Sequence, residues 1–265
     1  MPRLALVVTT HERADALTAV LDSVARQTVP PSEIVIADDG SGAETSASID
    51  HFTRRSAAPV RMVRQEHRGF RVARLRNLAI AAASADYLVF IDGDMLLHPG
   101  FIADHERIAR RGWFTQGVRV LADAALTRQL MGAPSTHVGF FTRGLGALRR
   151  VYLLRSPGFS SWARRPANGL VAIKSCNFGA WRDDLVRVNG FNEAFEGWGP
   201  EDKELALRLG HAGVRRQTLL FGGIATHLHH PPASRGALPA NLALLEQTRR
   251  ERRIRCEKGL AAHFG

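Results

Sequence analysis

Between Arg3 and Asp92, four short apolar runs are separated by three segments of helical period, and this alternation restricts the fold more than any other feature of the chain. The runs are "RLALVVTT" (Arg3 to Thr10), "EIVIADDGS" (Glu33 to Ser41), "PVRMVRQE" (Pro59 to Glu66) and "YLVFID" (Tyr87 to Asp92). The first is continuously aliphatic and β-branched, as a strand covered on both faces requires. Between the runs lie "ADALTAVLDSVARQT" (Ala14 to Thr28), with Leu17, Val20, Leu21 and Val24 on one helical face, then Thr45 to Arg55, then the alanine-rich "VARLRNLAIAAASA" (Val72 to Ala85). Strand, helix and strand in succession predict βαβ units with right-handed crossovers. The expected class is therefore α/β, with a mostly parallel central sheet flanked by helices.

In such a sheet, ligands bind outside the carboxyl ends of the strands. Those ends are polar here: Thr9, Thr10 and His11 after the first run, Asp38 and Asp39 after the second, Asp92 and Asp94 after the fourth. The first turn, "TTHERADA", has no glycine, so the G-x-G-x-x-G of a dinucleotide site is absent. Asp38-Asp39-Gly40-Ser41 suits a plain turn as well as a ligand contact. Asp92 and Asp94 are separated only by Gly93, and two ionised carboxylates so close repel unless a cation lies beside them.

Composition narrows the choice of partner. The 265 residues carry 36 Lys plus Arg against 25 Asp plus Glu, a formal net charge of +11, which favours an anionic partner. Cys176 and Cys256 are too few for a disulfide framework, and no uncharged run reaches the length of a membrane span, so a cytoplasmic location is expected. A basic protein that binds nucleic acid or another polyanion without catalysis is the alternative reading. It has no use for grouped acids, and no nucleic-acid partner is expected.

Three later stretches carry further signals. In "EGWGPEDKELALRLGHAG" (Glu196 to Gly213), Pro200 suits the first turn of a helix and Leu205 and Leu209 share a face. Glu201 and Asp202 then lie at a helix N-terminus, where acids also serve simply to complement the dipole. Trp198, between two glycines, is costly as decoration. In "TLLFGGIATHLHHPP", one strand over Thr218 to His227 is expected to deliver His227 to a sheet end, where imidazole suits Mn²⁺ better than Mg²⁺. Ala122 to Asn168 mixes aromatics with Arg143, Arg149, Arg150, Arg155, Arg164 and Arg165. It reads as a lid, a contact with an anionic membrane surface, or a helical hairpin packed on the core. The tail "LEQTRRERRIRCEKGLAAHF" reads as a basic helix.

"LVVTTHER", "QTVPPSEIVIADDGS", "RLRNLAIAAASADYLVFIDGDM" and "GFNEAFEGWGPEDKELALRL", in this order between residue 3 and about residue 230, resemble a family 2 glycosyltransferase of the GT-A fold. The last stretch is similar to the Trp-Gly-x-Glu-Asp module of β-1,4-galactosyltransferase-type and chondroitin-polymerase-type enzymes. The resemblance implies a UDP-sugar donor, a glycan or lipid-linked acceptor, and Mn²⁺ or Mg²⁺ held at the Asp-x-Asp. It implies that Thr9, His11 and Asp39 surround the uracil, that Arg76 lies near the nucleotide or diphosphate, and that Asp92 reaches the ribose or the metal. Asp94 and His227 are the implied metal ligands, although His229 stands where an aromatic residue is usual and leaves the choice among His227, His229 and His230 open. Asn177 is expected to face the donor sugar or acceptor. On the inverting reading Asp202 is the base, and Glu201 or Trp198 positions the sugar. The implied organisation is a nucleotide-sugar-binding half over 1–121, a basic and aromatic insertion over 122–170, a galactosyltransferase-like module over 171–235, and a basic C-terminal helix over 236–265.

Overall fold

The computed structural model describes residues 1–133, 138–163, 165–166, 169–170, 172–232 and 234–264. Its strands are β1 (Leu4–Thr10), β2 (Glu33–Asp38), β3 (Val60–Arg64), β4 (Tyr87–Asp92), β5 (Met95–Leu97), β6 (Trp113–Gln116), β7 (Arg119–Leu121), β8 (Arg165–Pro166), β9 (Asn177–Trp181), β10 (Arg215–Thr218) and β11 (Ala225–His227). The helices are α1 (Ala14–Ala25), α2 (Ala43–Arg55), α3 (Val72–Ala82), α4 (Phe101–Ile108), α5 (Ala124–Gly132), α6 (Pro157–Ala163), α7 (Arg182–Arg187), α8 (Glu201–His211) and α9 (Leu238–Glu251).

β1 is buried along its whole length because both of its faces are covered. Leu4, Leu6 and Val8 pack with Leu17, Val20 and Leu21 of α1. Ala5 and Val7, pointing the other way, belong to the cluster built on Leu75 and Ile80 of α3. The large sheet has the order β3-β2-β1-β4-β9-β6-β10-β8. β3, β2, β1 and β4 run parallel, β9 is antiparallel to both β4 and β6, and β10 is parallel to β6. This is the mostly parallel sheet flanked by helices that the alternation predicts.

A smaller sheet, β5-β11-β7, positions the site. β11 runs antiparallel to β5 with His227 opposite Met95, and Leu228 N–H donates to the Asp94 carbonyl at 2.9 Å. The strand expected over Thr218 to His227 is thus two strands in different sheets. Phe221 (φ 56°) and Gly223 (φ 55°) turn the chain in left-handed conformations between them, a break that an apolar run conceals.

The C-terminal helix is shorter than the tail's composition suggests. α9 stops at Glu251, where Arg252 is left-handed, and Cys256 and Leu260 turn inward to bury themselves beside Asn189 and Phe191. In the basic and aromatic stretch, Arg164 and the side chains of Arg149 and Arg165 lie outside the described residues. Arg155 is half-buried in an ion pair: its guanidinium grips buried Asp104 through two bonds of 2.9 and 2.8 Å. No helix among the described residues is long and apolar enough to cross a membrane.

Candidate active site

β1, β2 and β4 end at one edge of the sheet, and a cavity of about 530 Å³ opens there. Thr9, His11, Asp39, Arg76, Asp92, Asp94, Trp198 and His227 line it, so eight of the residues singled out in the sequence share one space. Gly93 lies close against the end of β1: a Cβ there would stand 3.0 Å from Thr10 Oγ1 and 3.1 Å from the Thr9 carbonyl.

Asp92 closes β4 with its carboxylate already engaged. Oδ1 accepts from Thr9 Oγ1 at 3.1 Å and from Arg76 Nη2 at 3.2 Å. Arg76, on α3, is almost wholly buried, lies over the Phe191 ring, and uses Nη1 to reach Glu201 Oε1 at 3.0 Å. Burial disfavours its charge, but Asp92 and Glu201 more than compensate and hold it protonated.

Asp94 sits in a different environment. Its Oδ2 is 3.3 Å from His230 Nε2, 3.7 Å from His227 Nε2 and 3.5 Å from Arg13 Nη1, while Oδ1 is buried with no hydrogen-bond partner. His230 Nδ1 lies 2.7 Å from the Pro231 carbonyl, which can only accept, so Nδ1 carries a proton. Nε2 of His230 is thereby turned toward Asp94 rather than toward the backbone. Burial, and then Asp92, push the Asp94 pKa up to about 6, against the pull of His230, Arg13 and Arg119. Burial and Arg119 push His227 down to about 4, so its imidazole is neutral near pH 7. Carboxylate oxygen and neutral imidazole nitrogen within 4.8 Å of one another, with an orphaned buried oxygen beside them, fit a divalent transition-metal ion. Of the three neighbouring histidines, His229 alone is exposed and absent from the cavity wall.

The opposite wall is built on Asp39. Its Oδ1 accepts from Gln65 Nε2 at 2.7 Å and its Oδ2 lies 2.9 Å from His67 Nδ1. The His67 ring stacks on His11 at a centroid distance of 4.1 Å. Glu12 and Arg13 are both left-handed, a local strain that turns the chain after β1 so that His11 and Arg13 both reach the cavity. His67, Arg13, Phe70, Arg119 and Arg235 also line the cavity, none of them expected from the sequence. His67 follows β3, and the strand-end rule applied to a third strand would have found it. Nothing in the sequence signals the left-handed turn at Arg13.

Glu201 and Asp202 begin α8 at the rim, next to the cavity wall rather than in it. Asp202 Oδ2 accepts from Ser175 N–H at 3.3 Å and Oδ1 from Lys203 N–H at 2.7 Å. Burial raises the Asp202 pKa and Arg76 opposes it. Burial, and then Asp202, push Glu201 up to about 7, with Arg76 opposing. Trp198 is about a third exposed, and the Arg235 guanidinium lies over its ring at 5.1 Å.

Asn177 does not face the cavity, contrary to expectation. It is fully buried at the start of β9, and its Nδ2 donates to the Val118 and Gly223 carbonyls at 2.8 Å each. Its Oδ1 accepts from His105 Nε2 at 2.9 Å. A side chain that ties β7 and β11 to α4 has no bond left for a sugar.

The model described as glycosyl transferase family 2 matches residues 5–152, and that described as N-terminal domain of galactosyltransferase matches residues 163–231. Validoxylamine A glucosyltransferase of Streptomyces hygroscopicus subsp. limoneus is 30% identical over 226 residues, which are 81% of this chain and 49% of that protein. Chondroitin synthase of Escherichia coli is 30% identical over 249 residues, 86% of this chain and 35% of that protein. The chain thus spans half or less of the length of these two relatives. The structure of mannosyltransferase PcManGT from Pyrobaculum calidifontis, in complex with GDP-Man and Mn²⁺, superposes with a TM-score of 0.60 over 96% of this chain and 62% of that one. At 19% identity that likeness speaks to the fold alone.

Proposed function

Since the chain belongs to glycosyltransferase family 2 and carries a C-terminal galactosyltransferase-like module, we propose that this glycosyltransferase moves a hexose or N-acetylhexosamine from a UDP-sugar to a glycan or lipid-linked acceptor. Its fold is of the GT-A type. The proposed reaction is inverting and depends on Mn²⁺ or Mg²⁺. The observation that carries the reading is the juxtaposition, in one cavity, of the wall around Asp39 with the unpartnered buried Oδ1 of Asp94 and the imidazoles of His227 and His230 beside it.

Asp94, His227 and His230 are the residues suited to hold the cation. When bound, it supplies Lewis-acid stabilisation of the departing diphosphate. The chain's own residues do the rest. Asp39, held by Gln65 and His67, presents carboxylate oxygens to the N–H of the base, and the stacked His11 and His67 rings offer it a flat wall. Arg76 keeps Asp92 and Glu201 in place and brings positive charge toward the phosphates. Trp198 covers the sugar. Asp202 takes the acceptor hydroxyl proton as the new bond forms at the anomeric carbon. Its raised pKa makes it a better proton acceptor than an ordinary aspartate, provided it is ionised. The grouped acids have no role in a polyanion-binding protein.

Isothermal titration calorimetry tests this directly. UDP is expected to bind with Mn²⁺ present and to lose at least about tenfold in affinity with EDTA. Equal affinity in both conditions, or no binding in either, removes the reading.

A further inference from the structure

The matched family segments end at residue 231, yet the loop that carries Trp198 is held from beyond that point. Asn241, in the first turns of α9, is about 2% exposed. Its Nδ2 donates to the Glu196 carbonyl at 3.0 Å and to the Trp198 carbonyl at 3.2 Å. These two carbonyls flank Gly197, whose own N–H donates at 2.8 Å to the carbonyl of Phe70, itself a residue of the cavity wall. The loop is therefore clamped between the segment after β3 and the start of α9.

The fit is close on both sides. Gly197 is left-handed (φ 72°), and a Cβ there would stand 2.6 Å from Ala237 Cβ. A Cβ on Gly199 would run into the Asn241 amide. Glycines on both sides of Trp198 thus let the backbone lie against α9, and one carboxamide then fixes it. Two bare carbonyls on a glycine-flanked loop have no other donor of this geometry among the described residues. Freed from Asn241, the loop gains the backbone freedom that glycine confers.

We propose that Asn241 is a positioning residue for the sugar side of the site: its carboxamide locks the Trp198 loop so that the indole stands over the cavity. The functional meaning of that placement rests on the reading of Trp198 given above. The structural part stands independently of it.

The experiment uses the full chain. Acrylamide quenching of Trp198 is isolated by subtracting the signal of the matching Trp198→Phe protein in each background. Asn241→Ala removes both donors, and Asn241→Asp keeps the shape while replacing the donors with an acceptor, so a folded variant is retained. Both are expected to raise the Trp198 quenching constant roughly twofold or more, because the loop opens locally. The Kd for UDP with Mn²⁺, measured by calorimetry, stays within about twofold, since Asn241 does not line the cavity and bonds only the Trp198 loop. Thr248→Val is the control. Thr248 is equally buried on the same helix but bonds Glu204 at 3.0 Å, so its loss destabilises α9 without touching the loop. Unchanged quenching in the Asn241 variants, or an equal rise in Thr248→Val, overturns the proposal. Failure of the wild-type chain to bind UDP with Mn²⁺ overturns the donor reading instead and leaves the quenching result to decide Asn241.

Discussion

Arg76 Nη1 meets Glu201 Oε1 at 3.0 Å across 125 residues of sequence, in a setting where both side chains are buried. This contact joins α3, in the part of the chain matched by the family 2 model, to α8, in the part matched by the galactosyltransferase model. Through its other nitrogen Arg76 also holds Asp92 at 3.2 Å, so one guanidinium aligns the strand-end acid with the helix-start acid.

Replacing Arg76 with Met leaves Asp92, Glu201 and Asp202 without their shared cation. Removing one partner of a buried pair typically costs about 3–5 kcal/mol. Urea unfolding of Arg76→Met is expected to show a loss of that order, and a loss below about 1 kcal/mol would mean that solvent already screens the site.

Asp94→Asn keeps the volume but removes the charge between His227 and His230. Nucleotide binding in this variant is expected to become insensitive to EDTA, with affinity for UDP falling to that of the metal-free wild type. A variant that still requires Mn²⁺ would assign the cation to other ligands, and calorimetry with and without chelator reads the difference.

Asp202→Asn separates chemistry from binding. UDP affinity in the presence of Mn²⁺ is expected to stay within a few-fold, whereas turnover of the sugar donor falls by roughly 10²–10⁴, the range for loss of a general base. Near-normal turnover in the folded variant would require a different base.

His105 supplies a pH-dependent contribution to stability. It is fully buried, burial pushes its pKa down to about 4, and its Nδ1 has no hydrogen-bond partner. Asn177 Oδ1 can only accept, so Nε2 carries the proton of the neutral ring. In the unfolded chain the imidazole titrates near 6.5, so on acidification the unfolded state takes up the proton first. The stability resting on neutral His105 is complete above about pH 6.5 and is lost as pH falls through 4, up to about 3 kcal/mol. Nitrogen-15 NMR at pH 5.5 is expected to show the neutral Nε2–H tautomer, and a charged ring at that pH would contradict it.

Phe141 is 89% exposed and lies close to exposed Arg143, and Phe140 packs edge-on against it. This pairing of apolar and basic side chains motivates a proposed peripheral contact with anionic lipid. Phe141→Ser with Arg143→Ser is expected to reduce co-sedimentation with anionic vesicles at low salt, each basic residue contributing about 1 kcal/mol. Equal sedimentation with neutral vesicles, or none with either, would assign these residues to ordinary solvated surface.

The first four strands, their parallel direction and the edge at which acids gather are legible in the sequence. Periodicity and the strand-end rule act locally, and Leu4 to Thr10 or Tyr87 to Asp92 carry their own burial pattern. The motifs marked Asp39, Asp94, His227 and Trp198 as worth watching, because residue type limits chemistry before any fold is known. Only the tertiary structure decided how those residues are used. Asn177 is consumed by the Val118 and Gly223 carbonyls, and Arg155 by Asp104. His230 rather than His229 turns to Asp94 because β11 pairs with β5 in a second sheet, after left-handed Phe221 and Gly223 break an apolar run. Partnership between side chains far apart in sequence is set by how layers pack. A residue's spare hydrogen-bonding capacity follows from that packing and from nothing local to the residue.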